Sequence, residues 1–528
     1  MSKQRKCEQN VNRRDFLKKA TVSTAVLSAG TTASAGKPSD HRDIAIPSTR
    51  EIMAHVEALY GFGMRRPGSP ADAKAEKYIL AAFEKFGLSN CRMEPYPHTY
   101  WAPDEPRLSI KGIDRPVPCF FIPTTKLTPK KGLTSDMVYV GVGDDIEAAD
   151  IRGKIVVFDQ RFGVFPPQAL EGISLYSHKI GSMSLADLGP QPWYRLNFDR
   201  VAKMAESQEA AGLIGLLSRM PYDTARYYAP YDDYDWPFAG LWIRPSLCDT
   251  VRAHAKAGDA ATILLTGSAK PSVTHNVVGV LPGKTDEIVM ISSHHDSPFH
   301  SAVEDATGVA EVLALAEAFS KIRPRVLDKT LLFLACAAHF GENGSLHFAK
   351  DHYSGLLSRV ALNIHIEHVG IECEGRNGAL VPTGRRQLRV VFTSSDEPRL
   401  ASILKTAIIA VDLDRTMILP ASNSLTGPVF PADGSPIYAV GVPTMNYISA
   451  PIYLLNAEDT LDKVDRQQLV PVASTFARVI QAIDPLPVAA IRRPKAQLPA
   501  DFEISDNPMF EIRKRFQEKR MRTVPKNG

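Results

Sequence analysis

Three stretches decide the fold of this chain: residues 287–297, EIVMISSHHDS; residues 329–339, KTLLFLACAAH; and residues 360–370, VALNIHIEHVG. Each contains a nearly continuous apolar run, and histidines or carboxylates stand where the run ends. Apolar runs without alternation are typical of parallel strands that are buried on both faces. Helical patterns lie between these runs, so we predict an α/β fold with a mostly parallel twisted sheet covered by helices on both faces.

The same domain extends in both directions from these stretches. Residues 273–485 continue the alternation of strands and helices, with a helix predicted from Asp305 to about Lys321. Residues 48–102 begin with a helix from Thr49, and Ser69 is predicted to cap a second helix whose first residue is Pro70. We therefore assign residues 48–102 and 273–485 to one α/β domain.

Residues 103–272 have a different character, with many short β-like runs, frequent prolines and aromatic-rich loops. They interrupt the alternation of strands and helices on either side. We predict that they form an inserted, β-rich domain. Residues 486–528 are charged and rich in proline, and we assign them to a C-terminal tail.

The N-terminal residues 1–35 read as an export signal. Arg13 and Arg14 precede a short apolar stretch and the small-residue pattern Ala33-Ser34-Ala35. This resembles a twin-arginine signal, so we expect the twin-arginine machinery to export the precursor and the mature protein to be periplasmic or secreted. The apolar stretch is too short to span a bilayer, and no later segment reaches 18 uncharged apolar residues. We therefore expect no stable membrane anchor.

Charge and cysteine content exclude two classes of function. The formal net charge is +4, and residues 1–35 alone contribute about +5, so the remainder carries no basic excess that would favour nucleic acid. Of the six cysteines, Cys7 lies in the signal and the other five show no CxxC spacing. A thiolate metal site or a disulfide framework is therefore not expected.

Imidazole and carboxylate groups recur at the predicted strand ends. His294 and Asp296 follow the apolar run of the first stretch, and His339 and Glu367 follow the apolar runs of the next two. Glu304 precedes the predicted helix that lies between the first two stretches. The carboxyl ends of parallel strands meet at one edge of a sheet, which is where α/β sheets bind ligands. A lone histidine here would be read as a core residue, and Glu304 as a helix cap. Four converging ends instead predict a metal site, with zinc favoured and manganese, cobalt or iron as alternatives.

These residues also resemble a known family. NVVGVLPG (276–283), HHDS (294–297), EDATG (304–308), GENGS (341–345) and EDTLDKVD (458–465) are similar, in order, to motifs of the zinc aminopeptidase-like metallopeptidases, whose relatives include prostate-specific membrane antigen and glutaminyl cyclase. The insert resembles a protease-associated domain. The resemblance implies a metal-dependent hydrolase that cleaves peptide or amide bonds, with a peptide or small amide as its substrate.

The resemblance also implies roles for single residues. Family members hold two zinc ions with two histidines and three carboxylates, and a separate glutamate is the general base. His294 matches the first histidine ligand, and Asp296 matches its supporting carboxylate. Glu304 falls on the bridging aspartate, and His339 and Glu367 fall on carboxylate ligands.

Three positions depart from the family. Ala338 stands at the general base, Leu455 at the last histidine ligand, and Gly434 at the histidine of the substrate loop. We therefore expect one zinc ion rather than two, held by some subset of the four predicted ligands with help from His295 or His365. Glu342 is our candidate for the missing base, with His339 and His365 as alternatives.

Three functions remain open at this stage. The first is an aminopeptidase-type or amidase-type hydrolase, with His294, Glu304, His339 and Glu367 as metal ligands and Asp296 and Glu342 as catalytic residues. The second is a catalytically inactive metal-binding or peptide-binding protein, which the three departures favour. The third is another reaction in the same cleft, such as acyl transfer or cyclisation.

Overall fold

The computed structural model describes residues 44–164, 167–231, 235–322, 326–337, 339–341, 344–394, 398–423 and 430–492. The predicted export signal and most of the predicted C-terminal tail lie outside these residues. Within them, no helix is long and apolar enough to cross a membrane.

Helices occupy both ends of the described chain and the spaces between its strands. In chain order they are α1 (Thr49–Gly61), α2 (Pro70–Lys85), α3 (Pro167–Ile173), α4 (Leu185–Leu188), α5 (Phe198–Ser207), α6 (Cys248–Ala257), α7 (Gly308–Ser320), α8 (Gly344–His352), α9 (Pro398–Val411), α10 (Ser435–Ala439) and α11 (Leu469–Ile483).

The strands are grouped in two large sheets and two short hairpin-like pairs. In chain order they are β1 (Ser89–Pro103), β2 (Arg107–Ile110), β3 (Cys119–Phe121), β4 (Leu133–Tyr139), β5 (Ile155–Asp159), β6 (Phe162–Gly163), β7 (Tyr176–His178), β8 (Gln191–Arg195), β9 (Gly212–Leu216), β10 (Ala239–Ile243), β11 (Ala260–Leu264), β12 (Gly267–Leu281), β13 (Ile288–His294), β14 (Thr330–Cys336), β15 (Val360–Ile366), β16 (Ile371–Arg376), β17 (Ala379–Arg386), β18 (Arg389–Thr393), β19 (Thr416–Pro420) and β20 (Thr444–Ser449).

The α/β class predicted from the sequence is confirmed. The nine-stranded sheet has the order β1-β12-β14-β13-β15-β20-β18-β19-β7. Its centre, β14-β13-β15-β20, is parallel, whereas most pairings towards the two edges are antiparallel. Helices α7 and α8 contact the sheet, and α10 contacts β20. The three stretches that decide the fold form the adjacent strands β13, β14 and β15, so their carboxyl ends share one edge.

A second sheet is built from the predicted insert. Its order is β2-β11-β4-β5-β9-β10-β3, with α5 and α6 packed against it. The structure differs in two ways from a separate inserted domain that spans residues 103–272. The long strands β1 and β12 pair with each other from Ser89 to Pro103, and β12 continues past residue 272 into the nine-stranded sheet. The short strand β7 pairs with β19 at the far edge of that sheet.

The first two helices begin where the sequence predicts. Ser48 precedes α1, and its side chain and that of Glu51 form a reciprocal capping box. The Ser69 side chain accepts a hydrogen bond from the Asp72 N–H, and Pro70 is the first residue of α2, as predicted. These signals lie within four residues of one another, which is why the sequence alone reveals them.

The predicted start of the third helix was wrong. We expected it at Asp305, but α7 begins at Gly308, because Glu304 and Asp305 have non-helical backbone angles. The Asp305 carboxylate instead accepts hydrogen bonds from the Gly308 N–H (2.8 Å) and from the Ser293 hydroxyl (2.7 Å). Residues 303–307 thus form an irregular turn that places Glu304 beside the end of β13.

Glu311 in α7 gives a pH-dependent prediction. Its side chain is fully buried, and burial raises the pKa of its carboxyl well above the ordinary range, although the Ala473 backbone opposes this. Glu311 therefore keeps its proton in the folded chain where the unfolded chain has lost it. The protonated Glu311 carboxyl contributes its full stabilisation at pH values below the ordinary pKa of glutamate. This contribution to the free energy of unfolding decreases as the pH rises towards the raised pKa.

We expect Glu311→Gln to raise the midpoint of thermal unfolding at pH 8 and to change it little near about pH 5, because glutamine cannot ionise. Circular dichroism melts at both pH values measure this. Glu317→Gln is the matched control, since Glu317 is on the same helix but bonds Lys321 near the surface. The same shift at both pH values would contradict the prediction.

Candidate metal centre

His294 lies at the end of β13 and is completely buried. Its Nδ1 atom is 3.3 Å from Asp296 Oδ1, and its Nε2 atom is 3.1 Å from Glu304 Oε1. Asp296 thus lies where the sequence predicted, beside the imidazole and on the side away from Glu304. A carboxylate on one ring nitrogen fixes the tautomer and directs the other nitrogen towards a metal.

His339 comes from the turn after β14 and is brought to His294 by Asp296. The Asp296 carboxylate accepts hydrogen bonds from the N–H groups of His339 (3.0 Å) and Phe340 (2.8 Å). The ring of His339 stacks on that of His294 with centroids 4.5 Å apart. Its Nδ1 atom lies 2.7 Å from Asp433 Oδ1, and its Nε2 atom lies 3.9 Å from Glu304 Oε1.

Glu304 is the central carboxylate of the cluster. The backbone N–H groups of Val303 and Glu304 both donate to the Asp459 carboxylate, at 2.9 Å each. Asp459 belongs to the EDTLDKVD motif, so that motif holds the turn that carries Glu304. The side chain of Glu304 contacts His294 with one oxygen and His368 with the other (2.9 Å).

Glu367 follows β15 and lies next to the cluster rather than at its centre. Its Oε1 atom is 3.2 Å from His365 Nε2 and accepts a hydrogen bond from Asn446 (3.1 Å). Its Oε2 atom is 4.0 Å from His368 Nε2. Of the four predicted ligands, His294, Glu304 and His339 each offer an atom within 4.8 Å of the others, and Glu367 reaches them through His368.

Sequence reasoning missed His368 as a site residue. A strand residue next to Glu367 is expected to face the opposite side of the sheet. His368, however, has a φ of 57°, which ends the strand alternation and turns its ring towards Glu304. Its Nδ1 atom lies 2.8 Å from the Ser449 carbonyl oxygen, so Nε2 faces the cluster. His294, Asp305 and His368 form a second group of ligand atoms within 4.8 Å.

The two histidines that were expected to help bind the metal, His295 and His365, contact other residues instead. His295 faces away from the cluster, and its Nδ1 atom is 3.2 Å from Asp72 Oδ1 in α2. The Nδ1 atom of His365 is 2.8 Å from the Ser292 hydroxyl, and its other nitrogen faces Glu367. The additional imidazole beside Glu304 is therefore that of His368.

The donor atoms suit a zinc-type ion. Two atoms that are each about 2.1 Å from one tetrahedral zinc ion lie about 3.4 Å apart. His294 Nε2 and His339 Nε2 are 3.1 and 3.9 Å from the same Glu304 oxygen, values that bracket this separation. Both ring nitrogens of His294 and that Glu304 oxygen are buried without a well-oriented hydrogen bond among the described residues. Such orphaned atoms are what a bound cation would satisfy.

The cluster's electrostatics favour charged carboxylates beside imidazoles. Burial lowers the pKa of His294, but the adjacent carboxylates of Asp296 and Glu304 outweigh it, so its pKa lies well above the ordinary value. Burial similarly opposes ionisation of Glu304, yet His368 and His294 hold its pKa well below its usual range. For His368, attraction to Glu304 outweighs burial and raises the pKa to about 10. Each charge is thus compensated by a neighbour of opposite sign.

The positions that depart from the family motifs fall into two groups. Ala338 and the candidate base Glu342 lie outside the described residues. Leu455 and Gly434 are described. Leu455 is buried and lines the cavity above Glu304 and His339. A side chain at Gly434 would collide with Asn446, since its Cβ would lie 2.4 Å from the amide oxygen.

An open cavity of about 170 Å³ leads to the cluster. Glu304, His339, Glu367 and His368 line its inner end, and apolar side chains line most of the remainder. The cluster is therefore accessible to a ligand that combines a polar group with a large apolar one.

The insert also contributes to this site. The ring of Tyr231 lies against that of His339 with centroids 4.8 Å apart, and Tyr231 lines the cavity. Nearby, the Tyr228 N–H donates to the Leu455 carbonyl oxygen (2.8 Å). The loop before β10 is thus packed directly on the metal cluster.

Comparison with known proteins gives one match to a family model. Residues 276–480 match the model of Peptidase family M28. A search of curated protein sequences found no match.

Solved structures share the fold over most of the chain. A zinc aminopeptidase from Bacillus subtilis has a TM-score of 0.61 at 17% identity, covering 86% of this chain and 100% of that one. A peptidase M28 precursor from Shewanella amazonensis SB2B has a TM-score of 0.62 at 18% identity, covering 84% and 96%. An aminopeptidase from Aneurinibacillus sp. strain AM-1 has a TM-score of 0.55 at 22% identity, covering 83% and 94%. At these identities the likeness establishes the fold.

Proposed function

We propose that this chain, whose residues 276–480 match Peptidase family M28, is a metal-dependent hydrolase of peptide or amide bonds. The observation that carries the proposal is the buried cluster of His294, Glu304 and His339 at the inner end of an open cavity. Imidazole and carboxylate ligands with one accessible side are the arrangement of catalytic rather than structural zinc sites.

One zinc ion is the proposed cofactor, held by His294, Glu304 and His339, with Glu367 and His368 beside it. A bound divalent ion supplies an acidified water and polarises the scissile carbonyl group. Leu455 supports a single ion, because an aliphatic side chain occupies the wall where the family places its last histidine ligand.

The chain's other residues have distinct proposed roles. Asp296 positions two histidines. Its carboxylate lies against the Nδ1 atom of His294 and accepts a hydrogen bond from the backbone N–H of His339. Asp433 orients the His339 ring from the other side. Glu342 is proposed as the group that accepts the proton of the attacking water, a role worth about 10²–10⁴-fold in rate.

Residues 1–35 are proposed to direct export by the twin-arginine route, so the protein would act in the periplasm or outside the cell. The substrate is proposed to be a peptide or small amide, and the insert is proposed to be a protease-associated domain.

A catalytically inactive binding protein is the second candidate. The observation that favours it is again Leu455, because loss of one family ligand accompanies the absence of glutamate at position 338.

Metal analysis combined with turnover separates the two candidates. The purified mature protein is analysed for metal per chain and assayed with aminoacyl amides, dipeptides and N-acyl amides. Hydrolysis is expected to stop with a chelator, to return with zinc and to be absent from Glu367→Ala. Stoichiometric zinc without turnover of any substrate would favour the binding protein, and no zinc after reconstitution would overturn the metal site.

A further inference from the structure

The apolar cavity extends well beyond the metal cluster. Its wall is formed on one side by strands β18, β19 and β20, which contribute Val390, Phe392, Leu419 and Ile448. Val390 and Ile448 are only half-buried. An apolar wall that opens at its inner end onto a charged cluster requires an occupant with one polar end and one long apolar end.

Other lining residues come from residues 167–196, which we call the collar. Leu170, Ile173 and Trp193 of the collar line the cavity. The collar also carries Leu175, Tyr194 and Leu196, whose exposed fractions are 49%, 40% and 48%. These are three of the eight large apolar side chains that are exposed among the described residues. The collar therefore carries exposed apolar side chains as well as apolar residues that line the cavity.

The carboxylates on the described cavity wall already have partners. Glu304 contacts His294 and His368, and Glu367 contacts His365. Asp187 in the collar forms an ion pair with Arg415, with oxygen–nitrogen distances of 2.9 and 3.2 Å. A substrate ammonium group would have to displace these existing partners to reach a carboxylate, whereas a neutral acyl group would not.

We propose that the cavity holds a long aliphatic acyl chain, so that the substrate class is an N-acyl amide rather than a peptide with a free amino terminus. This rests on the proposed hydrolase function. The acyl carbonyl carbon lies at the cluster and the chain lies between the collar and β18. Water adds to the acyl carbon, the C–N bond breaks, and the products are a fatty acid and an amine that has gained the proton.

The first test is the dependence of kcat/KM on acyl length in the zinc-loaded protein. N-acetyl-, N-butanoyl- and N-octanoyl-glycine are compared with leucine amide, which has a free amine. Each buried methylene contributes about fourfold, so octanoyl should exceed acetyl by about 60-fold if only half of the six added methylenes are buried. Better turnover of leucine amide, with no effect of acyl length, would overturn the proposal.

A cavity variant gives the matched control. Val390→Asp places a charge on the apolar wall. It is expected to lower the ratio of octanoyl to acetyl kcat/KM at least tenfold, because the charge acts against burial of the acyl chain. Val138→Asp is the control, because Val138 is a half-buried valine in β4 of the other sheet. If Val390→Asp does not fold, Ile173→Asp in the collar serves the same purpose. Loss of preference in Val138→Asp as well would overturn the assignment of the chain to this cavity.

Calorimetry separates this inference from the proposed function. If none of these amides is hydrolysed, the proposed hydrolase fails, but binding of N-octanoyl-glycine can still be measured. Binding that is tighter than that of N-acetyl-glycine and is weakened by Val390→Asp supports the acyl site. Equal binding of the two ligands overturns it.

Discussion

Replacing Glu304 with alanine is expected to remove the bound metal and to reduce hydrolysis by at least about 1000-fold. Glu304 is the only described carboxylate that contacts His294, His339 and His368 together, at 3.1, 3.9 and 2.9 Å. Loss of an outer partner of a metal ligand typically costs about 10–100-fold in metal affinity, and loss of the shared ligand itself should cost more. The same change leaves the imidazoles of His294, His339 and His368 without the carboxylate that they share.

Metal content by mass spectrometry and kcat/KM on the best amide substrate measure this effect. Glu209→Ala is the control, because the Glu209 side chain is 72% exposed and pairs with Arg152 at the surface. Exposed pairs of this kind contribute at most about 1 kcal/mol. Full zinc occupancy in a folded Glu304→Ala protein would show that the metal is held elsewhere.

Replacing Leu455 with histidine is expected to raise the metal content from one ion per chain to two. Leu455 lines the cavity together with Glu304 and His339, so a histidine there adds an imidazole to the wall that already carries these two proposed ligands. The new histidine and His339 would then provide ligands for a second ion, in addition to the ion that His294 and Glu304 help to hold. A histidine placed among carboxylates and imidazoles has the chemistry of a zinc ligand.

Leu413→His is the control, since Leu413 is a similarly buried leucine in a loop of the same domain and is not among the residues that line the cavity. Burying an unsatisfied polar group costs about 1–3 kcal/mol in either variant. Thermal melts therefore show a similar destabilisation, whereas metal titration should show a second ion only in Leu455→His. Two ions in both variants, or in the wild type, would contradict the proposal of a single-metal centre.

The parts of the site that could be predicted are those at strand ends. His294, His339 and Glu367 follow apolar runs that form neighbouring strands, so the parallel arrangement alone brings them to one edge. Asp296 was predictable for a similar reason, because it is two residues from His294. Local spacing and sheet topology are sufficient for such residues.

The parts that could not be predicted depend on loops and on distant contacts. His368 reaches Glu304 only because its backbone adopts a positive φ after the strand ends. Asp433 pairs with His339 from a loop far along the chain, and the pairing of His295 with Asp72 joins residues more than 200 positions apart. The hydrophobic pattern contains no signal for such contacts, which form only when the sheets and loops have packed.

The packing of Tyr231 on His339 has a consequence for how this protein can change. Because the loop that carries Tyr228 and Tyr231 also bonds Leu455, the insert and the metal cluster share one interface. An insert taken from a relative would bring a foreign loop against the ligand His339. The two parts must therefore accept mutations together, because the insert contributes part of the cavity wall and is not an exchangeable accessory module.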